Sequence, residues 1–267
     1  MKLFCRKLGK GKPLVIIHGL FGLSDNWLSI AKRLADSYRC YILDMRNHGR
    51  SPHSDNFSYA DMVEDIYEFL TDFNLRTVSI LGHSMGGMTA MKFAFEYAHR
   101  LEKLIVVDIA PKSYPTMHQE ILDGLRAIPI AKIKSRKEAD QILKDFVPAL
   151  RIRQFLLKNL YRKEDHSYAW RINLNAIHEH AAYIGRDISG KLQFEKPTLF
   201  IRGEQSNFIS DEDELRIMDI FPRASIIKIP GASHWVHAEK PDDFLTAVLS
   251  FLNKNNNTTN ASSQLNI

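Results

Sequence analysis

The feature that most constrains this chain is Gly82-His83-Ser84-Met85-Gly86-Gly87, set between the β-rich run Thr77–Leu81 and the stretch MTAMKFAFEYA, which is expected to form an amphipathic helix. A G-x-S-x-G pentapeptide in a strand–turn–helix setting makes a turn so sharp that side chains are excluded where the two elements approach, hence the glycines at 82 and 86. The serine at its apex is held in a strained backbone conformation with its Oγ exposed. It also stands at a helix N-terminus, whose free N–H groups favour developing negative charge. Such a turn needs a strand behind it and a helix in front, so it predicts an α/β architecture.

The rest of the first half agrees. Short β-rich runs occur at Lys2–Arg6, Leu14–His18, Arg39–Asp44 and Leu104–Ile109. Between them the clearest helical pattern is Tyr59–Phe73, where Met62, Ile66, Phe69, Leu70 and Phe73 fall on one face. Strands alternating with helices imply βαβ units and a mostly parallel sheet. From residue 111 to 196 no convincing buried strand is read, only helical stretches such as Glu138–Val147 and Ile152–Leu160, which predicts an inserted helical cap. Strands return at Thr198–Arg202 and Ser225–Ile229, with helices at Asp211–Ile220 and Pro241–Leu252. Residues 1–110 and 197–252 are thus the expected core. Residues 253–267, rich in Asn, Thr and Ser, are expected to be a disordered tail.

Two cysteines, Cys5 and Cys40, are too few for a disulfide framework or a four-thiolate zinc site. The N-terminal residues lack the apolar region of a secretory signal, and no run reaches the ~18 apolar residues of a membrane span. A cytoplasmic protein that neither enters a membrane nor binds nucleic acid is expected, with its oligomeric state open. The net charge of +5 is uneven: residues 111–196 hold 16 basic and 10 acidic side chains, and the remainder is close to neutral. A positive insertion on a neutral body is suited to an anionic substrate, although charge runs usually mark only a solvated face.

A nucleophilic serine needs a base, because its hydroxyl is barely ionised at neutral pH. Among 11 histidines, His234 follows the last strand and precedes the final helix. His237 lies three residues on, but no cysteine or acid accompanies the pair at metal-ligand spacing, so no metal is expected. His18 and His83 flank the turns and are read as packing or hydrogen-bonding residues. His48 and His53 are placed on a surface loop or pocket rim. An oxyanion needs backbone N–H donors already in place. Met85, after the serine, and Leu20, in His18-Gly19-Leu20-Phe21-Gly22, are the first choices, with Phe21 second to Leu20. Phe21 and Trp235 are the candidate substrate-contacting side chains.

With these elements the chain resembles the α/β-hydrolase family from Leu14 to Leu252. More narrowly it resembles a small bacterial esterase/thioesterase group. The motifs that carry this are the G-H-S-M-G-G turn, Asp44-Met45-Arg46-Asn47-His48-Gly49-Arg50-Ser51-Pro52, Asp108-Ile109-Ala110-Pro111, and His234-Trp235-Val236-His237-Ala238-Glu239-Lys240-Pro241. Ser233 stands where that group has glycine. The resemblance implies the order Ser…acid…His, hence Ser84 as nucleophile and His234 as base. The acid departs from the wider family, which places it in G-x-x-D after the penultimate strand. Here that stretch is Gly203-Glu204-Gln205-Ser206, and serine carries no charge to stabilise an imidazolium. Asp108, at a strand end on the same sheet edge, is the first choice and is the position the subgroup uses. Glu204, Asp211 and Asp213 are the alternatives.

The implied activity is hydrolysis of short-chain carboxylic esters, and of acyl-CoA thioesters, through an acyl-enzyme and without a cofactor. Two rivals stand beside it: C–C bond hydrolysis or cofactor-free lyase chemistry on the same triad, and a binding module that kept the fold.

Overall fold

Strands β2 (Lys12–Ile17), β3 (Tyr38–Leu43), β4 (Val78–His83) and β5 (Leu101–Val107) read as near-continuous apolar runs because both faces of each are covered. Alternate side chains of β2 divide accordingly. Val15 and Ile17 pack with Met62, Ile66, Met88 and Met91 from the Tyr59–Asp72 and Met85–Glu96 helices. Leu14 and Ile16 pack on the opposite face with Ile30, Leu34, Phe244 and Val248, from the Leu28–Leu34 and Pro241–Asn253 helices. This is the computed structural model of the chain, and it describes residues 1–115, 119–188 and 192–254. Beyond Lys254 the expected tail lies outside the described residues.

The sheet has seven strands in the order β1-β3-β2-β4-β5-β8-β9, with β1 (Cys5–Leu8), β8 (Thr198–Gly203) and β9 (Ala224–Ile229) completing it. Every neighbouring pair is parallel except β1 with β3. The six strands β2, β3, β4, β5, β8 and β9 therefore end at one edge, and the loops leaving that edge converge.

Three expectations need correction. The first strand begins at Cys5 rather than Lys2, because Phe4 is tied to the 44–51 loop instead. Its N–H donates to Ser51 Oγ at 2.8 Å and its carbonyl accepts from Asp44 N–H at 3.0 Å. The helix after the serine is buried round most of its circumference rather than amphipathic, since it is sandwiched between the sheet and the Tyr59–Asp72 helix. The segment between β5 and β8 is mostly helical, but it also holds an antiparallel hairpin of β6 (Leu160–Arg162) and β7 (Tyr168–Trp170). Three-residue strands are too short to show a period of two.

The helix expected at Glu138–Val147 runs Arg136–Lys144, started by Ser135, whose Oγ accepts the Glu138 N–H at 3.2 Å. That expected at Ile152–Leu160 runs Leu150–Leu156, and Leu160 enters the hairpin. This inserted segment shares its core with the sheet: Leu122, Leu143, Leu156 and Ile177 join the cluster that holds Ile17, Phe21 and Met85. Asn159 Nδ2 donates to the Phe21 carbonyl at 2.8 Å and Asn173 N–H to the Asn47 carbonyl at 3.0 Å. The insertion thus covers the strand-end loops. Among the described residues no helix is long and apolar enough to cross a membrane.

Candidate active site

Ser84 immediately follows β4 with φ 52° and ψ −119°, a conformation that L-residues avoid. The surroundings hold it there. Its N–H donates to the Val107 carbonyl at 3.0 Å, and its carbonyl accepts from Met88 N–H at 3.0 Å as the helix begins. A Cβ on Gly82 would collide with the Gly86 carbonyl, and one on Gly86 would lie 2.5 Å from the His18 carbonyl, so the turn tolerates no side chain at either position.

Asp108 takes the equivalent place after β5, where His83 and Val107 pair in register, so the two residues leave neighbouring strands side by side. It too has a positive φ, 51°, and it is fully buried. Its Oδ1 accepts the Gly203 N–H at 2.9 Å, and its Oδ2 accepts from the Ser206 hydroxyl and from His234 Nδ1 at 2.7 Å. Ser206, found where the wider family carries its acid, therefore donates to Asp108. The other acids weighed are engaged elsewhere. Glu204 accepts the Gly231 N–H, Asp211 pairs with Arg202, and Asp213 caps its helix at Ser210 and pairs with Lys112.

His234 lies in the loop after β9, its ring stacked on Phe208 at 3.8 Å and 17° and its carbonyl accepting from His83 Nε2 at 2.9 Å. Because Nδ1–H points to Asp108, Nε2 is left as the basic nitrogen. Among the described residues four other histidines are buried and serve as hydrogen-bonding or packing groups. Burial holds His18 and His83 below the usual imidazole range, and pushes His48 and His237 down to about 3. His18 accepts the Met45 N–H at 3.0 Å and donates to the Gly19 carbonyl at 2.8 Å. His237 stacks on Trp27 at 3.9 Å and 11°. His48, expected at a surface or rim, is fully buried instead, because Asn173 and Phe57 close over its loop. His53 is exposed.

His48 engages one of the two oxyanion candidates on the β2 loop. The Phe21 N–H donates to His48 Nε2 at 3.2 Å and is occupied. Among the described residues no hydrogen bond engages the N–H of Leu20 or of Met85. The Met85 N–H is the first of its helix and has no intrahelical partner by position. Phe21 and Trp235 both line a cavity of about 250 Å³ that also holds Ser84, His234, Leu20 and Phe155. A second cavity of about 40 Å³ meets the first at Ser84, Leu20 and Phe208, and is walled by Tyr59, Tyr114, Leu122 and Ile184.

Several contacts were not foreseen: Ser206 and Phe208 around the Asp108–His234 pair, His83 on the His234 carbonyl, and His48 behind Phe21. The Asp44–Pro52 motif proves to be scaffold. The Asp44 carboxylate accepts the N–H groups of Ser24 and Arg50, and Arg46 forms a buried two-point pair with Asp65.

Residues 12–129 match the model of the alpha/beta hydrolase fold family. An sn-1-specific diacylglycerol lipase, ABHD11 of Danio rerio, is 40% identical over 257 residues, covering 91% of this chain and 79% of that one. Esterase YbfF of Escherichia coli is 34% identical over 248 residues, 90% of this chain and 93% of that one. The solved structure of a marine microorganism esterase superposes with a TM-score of 0.91 at 44% identity, covering 94% of this chain and 99% of its own.

Proposed function

The chain belongs to the α/β-hydrolase family, and on that premise we propose that it is a serine esterase acting on short-chain carboxylic esters, and on thioesters, through an acyl-enzyme. One observation carries the reading: a strained serine and a histidine anchored to a buried carboxylate line the same cavity. The names of the relatives, esterases and a lipase, agree with ester hydrolysis.

Ser84 Oγ attacks the acyl carbon while His234 Nε2 takes its proton, and Asp108 fixes the tautomer and stabilises the imidazolium. The N–H groups of Leu20 and Met85 hold the oxyanion; being backbone groups on braced turns, they need no reorganisation as charge develops. His234 then protonates the leaving group. Water, deprotonated by the same nitrogen, releases the acid. Phe21 and Trp235 contact the substrate, and the insertion acts as a cap over the site.

The test is a panel of p-nitrophenyl esters and acyl thioesters of graded chain length, run beside labelling with a fluorophosphonate. The expected result is hydrolysis of the short members and a single label on Ser84. Ser84→Ala should keep its fold and lose both. Equal labelling of Ser84→Ala and wild type would remove the assignment.

A further inference from the structure

The two cavities that meet at Ser84 differ in which catalytic groups they contain. The larger includes His234, whereas the smaller contains Ser84, Leu20 and Met85 without it. On the reading above, the departing atom must receive its proton from His234, so the leaving group occupies the larger cavity. The acyl group takes the smaller. At about 40 Å³ that cavity has room for about three water-sized positions, which suits a short acyl chain.

The leaving-group side does not end at the catalytic cavity. Through Asn26, Phe155, Trp235 and His237 it continues into a third cavity of about 270 Å³, whose further walls carry Arg151, Gln154 and Lys158. Arg151 and Lys158 stand seven residues apart on the Leu150–Leu156 helix and the turn that follows it. Both are exposed, and among the described residues neither forms an ion pair. Arg153, between them, is instead buried against Asp140. The acid on this wall is Glu239, and both its oxygens are taken by the N–H and hydroxyl of Ser233 at 2.6 Å each. At the junction His237 is 5% exposed, and among the described residues its Nδ1 has no hydrogen-bond partner.

We propose that this third cavity is a leaving-group subsite, and that the substrates are short-chain acyl esters or thioesters whose alcohol or thiol portion carries a phosphate held by Arg151 and Lys158. The proposal rests on Ser84 and His234 acting as described above. In each turnover the acyl–sulfur or acyl–oxygen bond breaks and the departing atom takes a proton from His234. The oxygen of water ends in the carboxylic acid, and the phosphate is untouched.

Two sources of such a leaving group are separated by the substrates used. Acetyl-CoA is compared with the acetyl thioester of N-acetylcysteamine, and an acetylated glycerol 3-phosphate with monoacetylglycerol. Each pair shares its acyl group and bond type and differs in phosphate. The expected result is a kcat/KM ratio within one pair that falls about tenfold in Arg151→Ala/Lys158→Ala, with Arg151→Lys keeping it. The pair that shows the fall identifies a phosphorylated thiol or a phosphorylated glycerol. Ratios unchanged in the double variant for both pairs would overturn the subsite. Binding of coenzyme A and of glycerol 3-phosphate, measured by calorimetry on Ser84→Ala, reads the subsite without turnover. Failure of the esterase reading would thus appear as absent hydrolysis with binding intact. Failure of the subsite would appear as hydrolysis with binding that does not depend on the two cations.

Discussion

A fully buried carboxylate is costly unless every lone pair is met, and Asp108 is met by Gly203, Ser206 and His234. Asp108→Asn would place an amide beside His234 Nδ1 and favour the wrong tautomer. The expected loss is about 10⁴ in kcat with little change in KM, measured on a p-nitrophenyl ester. Near-wild-type kcat in that variant would remove Asp108 from the mechanism. Ser206→Ala is a milder probe. It deletes one of two donors to the oxygen that faces His234, leaving that oxygen a stronger partner for the imidazolium. The acid limb of kcat/KM should therefore move to higher pH, and stability should fall by about 1.5–3 kcal/mol. A limb that does not move, or moves down, would contradict this account of the hydroxyl. The placement of Ser84 and Asp108 at neighbouring strand ends was legible in the sequence, because an apolar run leads to each and a parallel sheet brings such ends to one edge. The role of Ser206 was not, since a hydrogen bond across 98 residues leaves no periodic trace.

At the scale of the elements, the loops beyond the strand ends are braced by neutral histidines. His48 and His237 have folded-state pKa values of about 3 and a normal value near 6.5 when unfolded. Between those limits the unfolded chain binds protons that the folded chain does not. Stability is therefore full above about pH 6.5 and is lost as the pH falls toward 3. The maximum slope is about 1.4 kcal/mol per pH unit for each such histidine. Urea midpoints at pH 7, 6 and 5 should decline accordingly. His48→Gln, which can still accept the Phe21 N–H, should flatten the decline by about one histidine's share. An unchanged slope would show that His48 is not neutral in the fold. Helix Asp211–Ile220 was read to the residue, since Ser210 and Asp213 form a capping box visible in the sequence. The hairpin of β6 and β7 and the displaced first strand escaped because pairing and anchoring, not local pattern, define them.

For the molecule as a whole, the excess of cations in residues 111–196 has to be divided between those that hold the fold and those that project a field. Arg153 is spent on Asp140 and two carbonyls, Lys112 on Asp213, and Arg136 on the Leu160 carbonyl. Arg151 and Arg153, separated in sequence by Ile152 alone, thus divide into one cavity residue and one structural residue. Reversing Arg153 would damage the insertion rather than report on substrate. What remains is a positive covering on a near-neutral body, and such a field acts at distances that salt controls. Raising ionic strength from 0.1 to 1 M shortens the Debye length from ~10 to ~3 Å. If the field steers anionic substrates, kcat/KM for acetyl-CoA should fall steeply over that range while a neutral ester of the same acyl group changes little. Contact pairs are screened less than long-range steering. The Arg151→Ala/Lys158→Ala variant should therefore start lower yet keep much of the salt dependence, the remainder of the insertion supplying it. A ratio of the two kcat/KM values that does not vary with salt would sink the steering argument and leave any preference for phosphate to the two cations at the cavity.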